Sequence, residues 1–268
     1  LDLLRPGLEA AGINDEPIPY HDDLAIPPAP GEPPPFAIPE IVLTEPLSIG
    51  LTSIPVTALT TYAKCGTQFH FRHVQGHPGL GEGYATASSI GTITHSALEL
   101  GIDNVDELRP HWPDGPDEHL VEALELANCY RADPAFAELQ GAAAETEVPF
   151  TFRSGRVTLY GAADLVGEDF VLDYKTDSSM HPEEHQFQLW AYARALGKSN
   201  AYIAYLRHKV LHRFDADELN RLDDIAAEII EGIAGGRYSA SPSEAACRFC
   251  SFQEICDHRH RSGDADAL

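Results

Sequence analysis

Lysine is scarce. The 268 residues hold only Lys64, Lys175, Lys198 and Lys209 within 18 Lys plus Arg, set against 42 Asp plus Glu, for a formal net charge of -24. Affinity for a polyanion leans on Lys and Arg, so the surface as a whole is a poor match for nucleic acid. That does not exclude a local site. Near molar salt the Debye length falls to about 3 Å, which screens both self-repulsion and repulsion from DNA. Lysine scarcity spread along the chain fits adaptation to high intracellular salt. No run of eighteen apolar residues occurs and no signal-peptide pattern opens the chain, so the expectation is a soluble, cytoplasmic protein with no membrane contact. Leu rather than Met stands first, as in an excised fragment or a processed product. Five cysteines, an odd number, argue against a disulfide framework. No G-x4-G-K-[ST] occurs, so this chain is not itself an ATP-driven motor.

Hydrophobic residues make up 43% of the chain, enough for a sizeable core in one domain or two. Residues 1–50 are acidic and Pro-rich, with PPAPGEPPP inside them, and read as a linker or extended segment. Residues 51–268 are expected to fold. The pattern turns helical from LTSIPVTALTTYAKC, with a Ser or Thr cap near 52–57, and again in ATASSIGTITHSALELG and over 117–130. The period then changes. ETEVPFTF, VTLYGAADLVG and FVLDYKT predict a three-stranded meander, PEEHQFQLWAYARALG a helix ended by Gly197, and SNAYIAYLRH a further strand. ADELNRLDDIAAEIIEGIAGG predicts one long helix closed by glycines. This order gives an α/β fold with a central mixed sheet flanked by helices and a helical N-terminal portion.

Asp164, Asp173 and Lys175 interrupt apolar strands. Unpaired charge is costly to bury, so these residues should be paired, liganded or exposed in a cleft. In a hairpin the two carboxylates come opposite each other, and a hard divalent cation such as Mg²⁺ resolves their repulsion. The Tyr174 carbonyl offers a further oxygen, and Lys175 lies on the same strand face as Asp173. Glu147 in the preceding strand and His95 on a helix are candidates to join them. Gln188 and Tyr192, i and i+4 on one helix, point to one place. A solvated Asp–Lys hairpin and a packed Gln–Tyr pair are the plain alternatives.

GTITHSALE, GAADLV, VLDYKT and QLWAY, in this order, resemble the PD-(D/E)xK nuclease domain of the RecB type. The likeness spans about residues 52–256 and is nearest to nuclease regions attached to UvrD-like helicases in AddAB and RecBCD-type machines; VTALTTYAKCGTQFHFRHVQG resembles the entry to that domain. The resemblance implies a restriction-endonuclease-like core that hydrolyses DNA phosphodiesters with Mg²⁺ or Mn²⁺. It implies His95, Asp164 and Asp173 as metal-holding residues, to which the Tyr174 carbonyl adds its oxygen, Lys175 as the catalytic lysine, and Gln188 and Tyr192 as a Q-x3-Y motif near the active site. Glu147 resembles a recurrent acidic residue with a less defined role. An exonuclease acting on single-stranded DNA or DNA ends, partnered by a helicase, is the implied system.

Cys247, Cys250 and Cys256 form C-x2-C-x5-C, and Cys65 lies far upstream. Four thiolates suit Zn²⁺, with His258 and His260 as alternative ligands. The RecB-type resemblance points instead to a [4Fe–4S] cluster held by one cysteine before the core and three after it, stapling the ends of the domain together. Cys129 is the spare. Two other readings stand beside the nuclease: a catalytically weak DNA-binding module, and a zinc-stabilised structural protein.

Overall fold

The computed structural model describes residues 50–79, 84–248 and 250–260. The segment expected to be a linker over 1–50 lies outside them but for Gly50. A short strand β1 (Ser53–Pro55) leads into α1 (Thr57–Lys64), α2 (Gly66–Phe69) and a π-helical turn over His70–Val74. Three helices follow: α3 (Tyr84–Leu100), α4 (Val105–Leu108) and α5 (Asp117–Ala132). The meander is β2 (Glu145–Ser154), β3 (Val157–Val166) and β4 (Phe170–Lys175). Then come α6 (Pro182–Leu196), β5 (Asn200–Tyr205), β6 (Val210–Phe214), α7 (Ala216–Arg221), α8 (Asp223–Ala234) and α9 (Glu244–Arg248). Among the described residues no helix is long and apolar enough to cross a membrane.

The six strands form one mixed sheet. β3 pairs antiparallel with β2 along its whole length; its other side meets β1 in parallel at Thr158–Tyr160 and β4 antiparallel at Leu165 and Val166. β4 runs parallel to β5, and β5 antiparallel to β6. β4 and β5 read as nearly continuous apolar runs because both of their faces are covered. Phe170, Leu172 and Tyr174, with Tyr202 and Ala204, join a core built with α3 and α5. Val171, Ala201, Ile203 and Tyr205 join a second core with α1, α6 and α8. Fully burying a residue such as Leu172 or Ile203 contributes about 1.5–3 kcal/mol. Alternation along β4 therefore turns Asp173 and Lys175 toward α6, while Tyr174 points toward α3.

Local chemistry sets the ends. Pro182 begins α6, where the missing N–H costs no helical bond, and Gly197 ends it at φ 66°. The expected long helix over 216–236 is two helices meeting at Leu222, the first started by a capping box between Asp215 and Glu218. Its apolar period runs on through the break, so the pattern carried no sign of it. The Ser or Thr cap expected near 52–57 is replaced by Val56, which makes no side-chain cap bond. Val56 is 3% exposed and its N–H donates to the Tyr160 carbonyl at 2.9 Å, so burial against β3 determines this helix start.

Candidate active site

The β3–β4 ladder stops early. Continuing its register past Leu165–Leu172 would set Asp164 directly opposite Asp173. Instead the strands part, and the Tyr174 N–H donates to Asp164 Oδ2 at 2.7 Å. The carboxylate stands in for a partner-strand carbonyl and is fixed by that bond. His95 reaches the gap from α3, with Nε2 2.8 Å from the Tyr174 carbonyl oxygen and Nδ1 3.3 Å from Asp164 Oδ2. Burial acts to lower the pKa of this imidazole, but the Asp164 contact and the charges of Asp164 and Asp173 outweigh it and hold the value above the usual one.

Asp173, 1% exposed, is gripped from two sides. Gln188 Nε2 donates to Oδ1 at 2.8 Å and also to Tyr192 Oη at 2.6 Å, so both residues of the helical i, i+4 pair converge here. Lys175 Nζ lies 2.6 Å from Oδ2, an ion contact rather than a well-directed hydrogen bond. Burial pushes the Asp173 carboxyl up against the pull of Lys175. Burial also opposes the Lys175 charge, yet Asp173, Asp164 and Asp177 hold the ammonium above its ordinary value.

Glu147 completes the group through an unusual backbone. Its neighbours pair in regular register, Thr146 with Leu165 and Val148 with Ala163, which places Glu147 across from Asp164. Glu147 itself has φ 49°, in the left-handed region, and is left out of the ladder. Its carboxylate, a ring nitrogen of His95 and an oxygen of Asp164 all lie within 4.8 Å of one another. Burial raises the Glu147 carboxyl, and Asp164 and Glu99 push the same way. Two carboxylates and one imidazole within 4.8 Å of one another, with the Tyr174 carbonyl and the Asp173 carboxylate adjoining, suit a hard divalent cation, whose charge would offset the burial and repulsion that lift Glu147 and Asp173.

The structure thus brings together His95, Glu147, Asp164, Asp173, the Tyr174 carbonyl, Lys175, Gln188 and Tyr192. Two neighbours escaped the sequence reading. Asp177 Oδ2 lies 3.2 Å from His185 Nε2, three residues before Gln188 on α6. Gly91, one helical turn before His95, lets α3 approach Thr176; a Cβ built there lies 3.1 Å from Thr176 Oγ1. The GTITH stretch carried the second signal, a glycine inside an apolar helix.

Cys65, Cys247, Cys250 and Cys256 line one cavity of about 20 Å³ with Phe71 and Phe252. Cys129 lies apart, its Sγ 3.6 Å from the Leu206 carbonyl. Burial raises the Cys250 thiol, and the other three cysteines of the cavity add to the rise. Among the described residues no three of these sulfurs lie within 4.8 Å of one another, so they form no compact single-ion group. Contacts beside the cavity hold the two ends of the domain together. Tyr62 Oη donates to the Arg237 carbonyl at 2.6 Å, and at Gly66 an added Cβ would lie 2.6 Å from the Ser239 carbonyl oxygen.

Comparison with known proteins agrees with this architecture. A crystal structure of SSO0001 is 18% identical, covers 80% of this chain and 90% of its own, and superposes with a TM-score of 0.50. A putative exonuclease from Eubacterium rectale is 12% identical over the same shares, with a TM-score of 0.53. At these identities the likeness is one of fold. No curated protein matches the chain. Residues 53–257 match the PD-(D/E)XK nuclease superfamily, and the chain belongs to that superfamily.

Proposed function

We propose that the chain is a Mg²⁺- or Mn²⁺-dependent deoxyribonuclease. The observation that carries this reading is the Asp173–Lys175 contact at 2.6 Å, set beside the His95, Glu147 and Asp164 group. His95, Asp164, Asp173 and the Tyr174 carbonyl would hold the cation, with Glu147 adjoining. Bound there, the cation would supply positive charge to the scissile phosphate and acidify water. Asp164 is oriented by the Tyr174 N–H, and Asp173 by Gln188, so neither carboxylate needs to reorganise when substrate arrives. Lys175 offers only donors, and its neighbours keep it protonated; it orients an attacking oxygen and meets charge on the phosphate. Tyr192 keeps Gln188 in place from within the core.

The finer reading is an exonuclease of the RecB/AddAB type, working on single-stranded DNA or DNA ends beside a UvrD-like helicase in DNA repair or recombination. The cysteine arrangement supports it. Zn–S bonds of about 2.3 Å set tetrahedral thiolates roughly 3.8 Å apart, whereas among the described residues no three of these sulfurs lie within 4.8 Å of one another. A [4Fe–4S] cluster spreads its thiolates further, and Cys65, Cys247, Cys250 and Cys256 are its ligands in this reading. The acidic surface fits a halophilic cytoplasm.

The test is cleavage of labelled single- and double-stranded DNA by anaerobically prepared protein with Mg²⁺ or Mn²⁺, across a KCl series, beside Asp173→Ala. Metal-dependent products absent from the variant establish the activity, and their lengths report end dependence. Equal inertness of both proteins, with iron and sulfide present, would turn the assignment toward a DNA-binding module. Zinc without iron would remove the cluster.

A further inference from the structure

The active site is poor in positive charge: three carboxylates face one lysine, in a chain of net charge -24. A polyanionic strand must find cations elsewhere, and they are unevenly placed. Residues 64–79 contain Lys64 and Arg72 and no Asp or Glu. Residues 237–260 contain Arg237, Arg248 and Arg259 against Glu244, Glu254 and Asp257. These two segments hold five of the 18 Lys plus Arg, three of the 42 Asp plus Glu and five of the 13 His, leaving 13 cations against 39 acids in the rest.

The fold joins the two segments. His70 stacks on Tyr238 with ring centroids 5.2 Å apart and planes within 10°. Arg72 Nη2 donates to Ser251 Oγ at 3.2 Å, and its guanidinium lies 5.6 Å from the centre of the Phe252 ring. Arg72, Arg237 and Arg248 are all exposed. This face adjoins the active-site helix. Lys64, at the end of α1, lies 3.6 Å from Glu184 in the first turn of α6, which carries Gln188 and Tyr192.

We propose that this cation-rich face is the docking surface for the phosphate backbone of the strand that enters the active site, with Arg72, Arg237 and Arg248 as phosphate contacts. The proposal rests on the DNA nuclease reading. Guanidinium groups suit phosphate through paired planar donors, and contacts of this kind position a strand without reading its sequence. The surface requires only that the two segments stay joined, whatever the cysteines hold.

The test uses the full chain with Ca²⁺ in place of Mg²⁺ and measures fluorescence anisotropy of a labelled single-stranded oligonucleotide across a KCl series. In R72A/R237A/R248A the slope of log affinity against log salt should become shallower by about 2, with affinity down on the order of tenfold or more. R72K/R237K/R248K keeps the charge and should bind within a few-fold of wild type, which separates lost contacts from lost folding. R153A/R213A/R221A removes the same charge from edge strands and α7 and should leave the slope unchanged. Equal slopes for wild type and R72A/R237A/R248A, or an equal loss in R153A/R213A/R221A, overturn the proposal. Hydrolysis of bis(p-nitrophenyl) phosphate, too small to reach this face, should be the same in wild type and R72A/R237A/R248A. If wild type binds DNA with the expected slope yet cleaves neither substrate, the nuclease reading fails while the docking surface stands.

Discussion

Lys175→Met removes the positive charge in contact with Asp173 and keeps an unbranched side chain of similar reach. Asp173 is 1% exposed and the lysine side chain 17%, so water screens the pair weakly. Deleting one partner of a buried ion pair costs about 3–5 kcal/mol. Gln188 still donates to Asp173 Oδ1, and the lysine end has some contact with water, so the low end of about 3 kcal/mol applies. In a domain of this size each kcal/mol moves the melting midpoint by about 2–4 °C, and the expected fall is about 6–12 °C in EDTA. Burial already holds the Asp173 carboxyl above its usual value, and losing Lys175 raises it further. A raised carboxyl binds its proton more readily in the folded chain than in the unfolded one. The deficit is therefore complete above the folded pKa and shrinks as pH falls through it. A divalent cation should narrow the deficit too, because it replaces the missing charge. Thermal unfolding followed by circular dichroism, at about pH 8 and about pH 5, in EDTA and in Mg²⁺, tests each step. A variant that melts with wild type in EDTA, or whose deficit widens in acid, would refute the buried-pair argument.

Gly91→Ala gains up to about 1 kcal/mol of helix propensity but sets a methyl 3.1 Å from Thr176 Oγ1. The melting midpoint should change little while DNA cleavage falls several-fold, because the strain displaces the His95 helix; unchanged turnover would show that α3 absorbs it. Glu147→Gly relieves a left-handed backbone that costs on the order of 1–3 kcal/mol, less the entropy of a glycine. It should raise stability in EDTA by about 1 kcal/mol and weaken stabilisation by Mn²⁺, both read from melts. Asp177→Asn tests acid behaviour: the His185 hydrogen bond, followed by its charge and those of Lys175 and His181, depresses the Asp177 pKa despite burial. Its stabilisation is present above the unfolded value near 3.9 and is lost as pH falls through the folded one. With the Asp177 side chain 47% exposed, the variant should lose about 0.5 kcal/mol at neutral pH, a difference that vanishes in acid and that urea titrations at both pH values resolve.

Long elements with a clear period were legible in the sequence. The meander, the helix ended by Gly197 and the apolar runs of β4 and β5 each carried their own pattern. What escaped was short or tertiary in origin. β1 is three residues long, too few to show alternation, and it forms because β3 offers an unpaired flank at Thr158–Tyr160. β6, five residues at the sheet edge, has only Phe214 buried, so its sequence lacks a core-facing stripe. Val56 starts a helix without a capping side chain because burial against β3 outweighs cap preference.

The site shows the same division more sharply. Residue types and spacing singled out Asp164, Asp173 and Lys175, because a carboxylate in a buried strand is anomalous wherever its partner lies; Gln188 and Tyr192 entered through the family resemblance, since alone an i, i+4 pair reads as packing. The sequence did not reveal how the carboxylates share the work of the gap. A regular hairpin would place Asp164 and Asp173 as equivalent neighbours, with side chains roughly 4.5–5.5 Å apart at Cβ. The parted strands make them different. Asp164 turns to the Tyr174 N–H and His95, whereas Asp173 turns to Lys175 and Gln188. Glu147 then enters from the other side of β3, through a backbone conformation that no glycine or asparagine announces. One carboxylate thus carries a buried lysine, and two others share a single imidazole. That asymmetry sets a place for a second positive charge beside Lys175, and it arises from where one β ladder stops.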